Sequence, residues 1–321
     1  MKATHLLFTS SGRRVSLIRD FQEAYRRHDI PGKVITADLK ATAPTAFTSD
    51  KHYLVPPVTD PGYLDRLLEI CREEKIDAII PLIDTELTLL AENRERFEQE
   101  GVRLVLSSPR VNEISFDKTN TYRFFQEHGI PTPRVFTEEE VKRGEFSYPL
   151  MVKPRNGSSG KGVTVVRNER ELRFFLDYIP DAMVQELVSG EEYTIDVFVD
   201  FSGAVKTIVP RLRIETRAGE VSKGITRKNP FLIDAARHVA ECLPGAVGCI
   251  TLQGFLQADG SFTFIEINPR FGGGVPLSIA AGADLPLWTL QMCRDIPLGE
   301  PDYSWKDNLG MYRYDDAVFA G

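Results

Sequence analysis

Cysteine and histidine are scarce. Four cysteines (Cys71, Cys242, Cys249, Cys293) and five histidines are spread over 321 residues. No cysteine pair has CxxC spacing, and no histidine stands near another histidine or a cysteine at metal-ligand spacing. That argues against a zinc site and against a disulfide framework. The cysteines read as buried or incidental thiols of a reducing cytoplasm. Basic charge is also in short supply. The net charge is -7, whereas a general nucleic-acid surface would be basic overall. No apolar run approaches the roughly 18 residues that cross a membrane. The opening MKATHLLFTSSGRR has only three consecutive apolar residues, too few for a signal-peptide core. The chain also lacks G-x-G-x-x-G after its first apolar run, which argues against a dinucleotide-binding turn. A cytoplasmic protein with neither a nucleic-acid nor a membrane partner is expected.

What is present is ordinary globular material, 42% hydrophobic and 26% charged. The first third alternates apolar runs (HLLFTSS, KVITADL, DAIIPLI, VRLVLSS) with amphipathic helical stretches (VSLIRDFQEAYRRH, GYLDRLLEICREEK, LTLLAENRERFEQEG). Such alternation predicts βαβ units on a parallel sheet. DAIIPLI is nearly all apolar, as expected of a strand covered on both faces. The pattern fades near Ser108-Pro109. Beyond it, VNEISFDKTNTYRFFQEHG predicts one helix and 169–178 another. Runs such as EYTIDVFVD, TIVPRLRIE, TLQGFLQ and SFTFIEINPR follow one another as strands, which predicts antiparallel sheets. The expected division is an α/β domain over 1–110, a small α+β lobe over 111–186 and a larger lobe over 187–321.

Four stretches carry chemistry. In MVKPRNGSSGKGVTVV (151–166), Lys153 ends a strand, and Ser158, Ser159, Gly160, Lys161 and Gly162 form a loop longer than a hairpin needs. Glycines let backbone N–H groups approach an anion closely. A Walker A loop requires G-x-x-x-x-G-K-[ST] before a helix, and Arg155 and Gly162 break that pattern. A plain surface hairpin is the alternative. In FIEINPRFGGG (264–274), Glu266 and Asn268 lie two apart on a strand and face one side. With Gln253 from the paired strand, these oxygens suit a hard cation such as Mg²⁺. Arg270 follows, suited to a phosphate or carboxylate. A solvent-facing polar edge is the bland reading. In VQELVSGEEYTIDVFVD (184–200), the segment around Glu186, Leu187 and Val188 offers backbone groups to an adenine edge, with an acid beyond for ribose; an acidic surface turn fits equally. In PRLRIETRAGEVSKGITRKN (210–229), Arg211 and Arg213 share a strand face within a basic cluster, which suits phosphate or carboxylate recognition or a solvated face.

Taken in order, Asp117-Lys118 before a helix, PLMVKP with its Gly/Ser loop, VQELVSGEEYTIDV, TLQGF and FIEINPRFGGG resemble the ATP-grasp superfamily. The likeness spans nearly the whole chain. It is nearest to the synthetase component of the carbamoyl-phosphate synthase large subunit, where a similar α/β domain precedes the nucleotide-binding module. The resemblance implies ATP and Mg²⁺ (or Mn²⁺) as cofactors. Lys118 and Lys153 would contact the phosphates, and the Ser158-to-Gly162 loop would close over them. Glu186, Leu187 and Val188 would line the adenine pocket, and Glu192 would hold ribose. Gln253, Glu266 and Asn268 would ligate the metal, and Arg270 would stabilise the transferred phosphoryl group. In the carbamoyl-phosphate synthases the small-lobe lysine is commonly arginine, NPR is followed by a serine-rich run rather than FGGG, and two such units stand in tandem. These departures fit a stand-alone carboxylate ligase better.

The expected activity is therefore an ADP-forming ligase. A carboxylate takes the γ-phosphoryl group of ATP, and an amine-type nucleophile displaces phosphate. Phosphoryl transfer needs positioning and charge neutralisation more than covalent help. Arg211 and Arg213 are the candidates for gripping the substrate carboxylate. The alternatives are a split carbamoyl-phosphate synthase unit that needs a partner subunit, and a nucleotide-binding regulatory module without catalysis. A homodimer is a further expectation. FTSSGRR, just after the first strand, reads either as a second-substrate loop or as a structural turn.

Overall fold

Five short strands in the first 104 residues pair in parallel because each is joined to the next by a helix or a crossover. They are β1 (Thr4–Thr9), β2 (Gly32–Asp38), β3 (Lys51–Leu54), β4 (Ala78–Pro81) and β5 (Arg103–Leu104), in the order β3-β2-β1-β4-β5. The computed structural model describes residues 3–157, 162–217 and 219–319. Helix α1 (Val15–Arg27) packs one face of this sheet, and α2 (Tyr63–Glu74), α3 (Asp84–Glu92) and α4 (Arg94–Glu98) pack the other. The single helix expected over 87–101 is two, broken at Asn93. The chain turns back on itself between β1 and β4. That reversal opens a crevice at the carboxyl ends of those two strands.

Next come α5 (Pro109–Phe116) and α6 (Lys118–Glu127). One helix was expected here. Asp117 breaks it with φ -101° and ψ 117°, and its carboxylate caps α6 by accepting from Thr119 N–H. Aspartate prefers this cap to a helix interior because its side chain competes for backbone donors. The pair was expected inside the small lobe. Instead Val111, Ile114, Phe124 and Phe125 join the core of the larger lobe, with Phe125 5.9 Å from Phe264.

The small lobe holds β6 (Val135–Phe136), α7 (Glu138–Arg143), β7 (Leu150–Pro154), β8 (Thr164–Val166), α8 (Glu169–Tyr178) and β9 (Ala182–Glu186). Its sheet runs β6-β9-β7-β8, all antiparallel, over a separate core of Leu150, Val152, Val166, Leu172 and Val184. The larger lobe holds β10 (Glu191–Val199), β11 (Val205–Arg217), β12 (Glu220–Thr226), α9 (Pro230–Cys242), β13 (Gly248–Leu256), β14 (Phe262–Asn268), α10 (Val275–Ala280), α11 (Leu285–Cys293) and β15 (Gly310–Tyr312). Its six strands run β14-β13-β10-β11-β12-β15. One face is covered by α9 and by the chain around α10 and α11. Phe8, Phe21 and Phe271 pack edge to face, at 4.8 and 5.9 Å, so the first domain and the larger lobe share one apolar core. None of the described helices is long and apolar enough to cross a membrane.

Candidate active site

Strand register gathers the polar residues of the larger lobe. Thr194 lies opposite both Arg211 and Gln253, and Gln253 lies opposite Glu266; Asp196 lies opposite Thr251, and Thr251 opposite Asn268. Directly opposed residues share a face of the sheet. A bulge on β14 then decides which way its side chains point. Gln253 pairs with Glu266 but the next residue, Gly254, pairs with Phe264, leaving Ile265 as the extra residue. Without the bulge, Phe264 and Glu266 would share a face. With it, Phe264 is buried in the core and Glu266 opens onto the cleft.

Two adjoining cavities meet at Glu266 and Asn268. The first is bordered by Asp84, Asn112, Lys118 and Gly157, the second by Arg14, Arg211, Arg213, Gln253, Arg270 and Gly272–Gly274. Lys118 opens α6, and its ammonium donates to Gly157 O at 2.8 Å and Arg155 O at 3.4 Å. Burial lowers its pKa, with Glu266 opposing. Lys153, only 8% exposed on β7, has no hydrogen-bond partner for its ammonium among the described residues. Burial pushes its pKa down to about 8; the nearby Lys118 adds to that, and Glu266 opposes it. The carboxylate of Glu266 likewise has no hydrogen-bond partner among the described residues. An unpaired carboxylate beside a buried amide oxygen, with two lysines near, fits a divalent cation that takes few protein ligands and completes its shell with phosphate oxygens and water. No cluster of three or more His, Cys, Asp or Glu that could hold a metal alone exists among the described residues.

The arginines divide. Arg211 is 1% exposed and makes a bidentate pair with Asp196, at 2.7 and 2.8 Å. Asp196 also accepts from Ser278 at 2.6 Å and Thr251 at 3.2 Å. Arg213 donates to Glu192 at 2.5 Å and to Gly219 O at 2.9 Å. The two arginines expected to grip a substrate are therefore each paired with a protein carboxylate already. Arg217, Lys223 and Arg227 reach Asp315, Glu215 and Asn308 in solvent. Arg270 is held bidentately by Asp84, at 2.7 and 2.8 Å, and donates to Asn268 Oδ1 at 3.1 Å.

The glycines after Arg270 are there for room. A Cβ on Gly272 would meet Thr251 Oγ1 at 2.8 Å, on Gly273 Arg14 Nη1 at 2.9 Å, and on Gly274 Arg211 Nη1 at 2.3 Å. Glu192, expected at a ribose, is the partner of Arg213; burial raises its pKa and Arg213 opposes. Glu186 ends β9, where its carboxylate accepts from Arg134 N–H at 3.1 Å. Neither it nor Leu187 nor Val188 borders the two cavities. Gly162 is described, with φ +72° and Pro154 against it. Ser158, Ser159, Gly160 and Lys161 lie outside the described residues.

Sequence reasoning missed Asp84, Asp196, Thr251 and the placement of Arg14. A signal existed for the first-domain pair. Arg14 follows β1 and Asp84 follows β4, the two strands flanking the topological reversal. Glu86, fully buried, ties the two loops together. It accepts from Ser10 Oγ at 3.0 Å, Tyr63 Oη at 2.7 Å and Leu82 N–H at 3.0 Å.

A parallel α/β domain, then a small and a large antiparallel lobe around a lysine- and carboxylate-lined cleft, define a three-part cleft protein. Residues 6–105 match the family described as PylC-like, N-terminal domain, and residues 115–274 match the family described as ATP-grasp domain. The chain thus carries an ATP-grasp domain over residues 115–274. It is 24% identical over 162 residues to a carbamoyl-phosphate synthase of Methanobrevibacter smithii, covering 49% of this chain and 44% of that one. It is 29% identical over 296 residues to a formate-dependent phosphoribosylglycinamide formyltransferase of Mycolicibacterium vanbaalenii, covering 84% and 70%. The chain thus spans less than half the length of the carbamoyl-phosphate synthase it matches. The biotin carboxylase domain of the Hydrogenobacter thermophilus 2-oxoglutarate carboxylase shares the fold, with TM-score 0.77 at 18% identity over 97% of this chain and 74% of that one.

Proposed function

We propose that this chain is an ATP-dependent, ADP-forming ligase that activates a carboxylate as an acyl phosphate and joins it to an amine-type nucleophile. The observation that carries the reading is the wall shared by two cavities. Glu266 and Asn268 face Lys118 on one side and the arginine- and glycine-lined cleft on the other. ATP phosphates would occupy the first and the acid the second, so their reacting ends would meet at Glu266. Glu266, Asn268 and Gln253 would hold Mg²⁺ or Mn²⁺, which supplies charge neutralisation for the phosphates.

This chain's residues would do the rest. Lys118 and Lys153 balance the β- and γ-phosphate charge. Arg270, fixed by Asp84, steadies the transferred group. A carboxylate oxygen attacks the γ-phosphorus, the bond to the ADP oxygen breaks, and the acyl phosphate forms. The amine then attacks the acyl carbon, loses a proton, and expels phosphate. In this reading the segment at Glu186, Leu187 and Val188 takes the adenine edge, and Glu192 holds the ribose. The units 1–110, 111–186 and 187–321 act as substrate domain, nucleotide lobe and metal lobe, with α5 and α6 of the second seated on the core of the third, in the cytoplasm, on small-molecule acid and amine.

The test is chemical. With ATP, Mg²⁺, hydroxylamine and a panel of carboxylic acids, at least one acid should give a hydroxamate together with ADP. Glu266→Gln should lower that rate at least about 100-fold while far-UV circular dichroism is unchanged, because Glu266 holds nothing else in place. If no acid gives hydroxamate, the ligase reading fails. A second reading, a unit that phosphorylates bicarbonate, is favoured by the Methanobrevibacter match; ATP turnover that requires bicarbonate and ignores other acids would select it.

A further inference from the structure

The loop after β1 carries a charge that the proposed chemistry leaves unused. Charged groups in and around the second cavity pair off almost completely: Arg211 with Asp196, Arg213 with Glu192, Arg270 with Asp84, and Glu220 with Arg313. Glu266 belongs to the metal and the lysines. Arg14 remains. Among the described residues its guanidinium makes no hydrogen bond and no ion pair within 4 Å, although it is half-buried against Gly273. Burial and the neighbouring charge of Arg270 lower its pKa to about 10, with Glu220 and Asp84 only partly opposing. It is still a cation at neutral pH, and no carboxylate among the described residues comes within 4 Å of it.

Its position matters as much as its charge. Gly273 touches both Arg14 and Glu220, and Glu220 opens β12. The next residue, Gly274, lies against Arg211 of β11 and Val221 of β12. Arg14 therefore lines the same cavity as Glu266 but sits over the middle of the sheet, not over β14 where Glu266 lies. The loop that presents it is rigid: Glu86 holds Ser10, and Asp38 Oδ2 accepts from Gly12 N–H at 2.8 Å.

We infer that Arg14 binds a second anionic group of the acid substrate, a carboxylate or phosphate remote from the carboxylate that is activated. The acid is then doubly anionic, lies along the sheet face, and is selected by the first domain. This rests on the ligase reading. A lone guanidinium with its donors free grips such a group bidentately, and removing one charged hydrogen-bond partner costs a factor of about ten to a hundred.

The experiment uses the full chain with ATP, Mg²⁺ and hydroxylamine. Acids are offered in matched pairs: succinate against succinamate, aspartate against asparagine, glutamate against glutamine, and O-phosphoserine against serine. In at least one pair, the doubly anionic member should show kcat/KM at least about tenfold higher. R14Q should shrink that ratio toward one, mainly through KM, and R14K should keep the larger part of it. Selection within the first three pairs identifies a carboxylate, and within the last a phosphate. If R14Q does not fold, the wild-type ratio and R14K decide. Equal use of both members by the wild type, or a ratio unchanged in R14Q, overturns this inference alone. No hydroxamate from any acid overturns the ligase reading and this inference with it.

Discussion

Replacing Lys153 with methionine should make the protein more stable and less able to hold nucleotide at the same time. The side chain is 8% exposed and its ammonium has no hydrogen-bond partner among the described residues. Its pKa falls from the ordinary 10.5 to about 8. At ~1.36 kcal/mol per tenfold change in proton affinity, the fold disfavours the charged amine by about 3 kcal/mol. The sign follows from proton linkage. Below pH 8 both folded and unfolded chains carry the proton, and the full penalty is present. Between 8 and 10.5 the folded chain has lost its proton while the unfolded chain keeps it, so stability rises with pH. Methionine has similar length and no charge to desolvate. Urea unfolding should therefore show Lys153→Met more stable by about 3 kcal/mol at pH 7, and by a fraction of that at pH 10. ADP with Mg²⁺ should raise the unfolding midpoint of the wild type and not of the variant. Wild-type affinity for ADP should also weaken above pH 8, because binding then has to take up a proton. A variant less stable than wild type at pH 7 would refute the burial argument. A variant that still responds fully to ADP would refute the phosphate role.

Asp196→Asn should lower stability by about 3 kcal/mol or more, because it strands the buried Arg211 guanidinium without its counter-charge; a thermal melt showing no loss would return Arg211 to the list of free substrate grips. Gly274→Ala places a methyl group 2.3 Å from Arg211 Nη1 and 2.6 Å from Val221 Cγ1, so something must shift. It should lower the melting temperature and raise the KM for the acid, while leaving ADP affinity near wild type; an unchanged KM would show that the glycine run has no part in the cleft.

Much of the fold was legible because it is local. The period-3.6 and period-2 patterns of VSLIRDFQEAYRRH and EYTIDVFVD report which face each element buries, and both elements form where the pattern lies. The helix at 169–178 appears over the same residues. Misses came where a single residue overrode periodicity. Asp117 and Asn93 each split an expected helix, because short polar side chains favour helix ends over interiors. Strands β12 and β15, at one side of the larger sheet, carried no clear alternation and went unread.

The site divides the same way. Glu266, Asn268, Gln253 and Lys153 could be singled out from residue type and spacing, since each sits in a short motif whose chemistry is written along the chain; Lys118 entered only through the family resemblance. The sequence could not say which arginines are already spent. Arg211 and Arg213 look alike two residues apart, but the carboxylates that neutralise them lie on β10, a separate strand. Nor could it bring Asp84 to Arg270 across 186 positions, or turn Glu266 away from the core by one bulged residue. Charge pairing and side-chain direction depend on distances between segments far apart in the chain. Those distances exist only once the sheets are assembled.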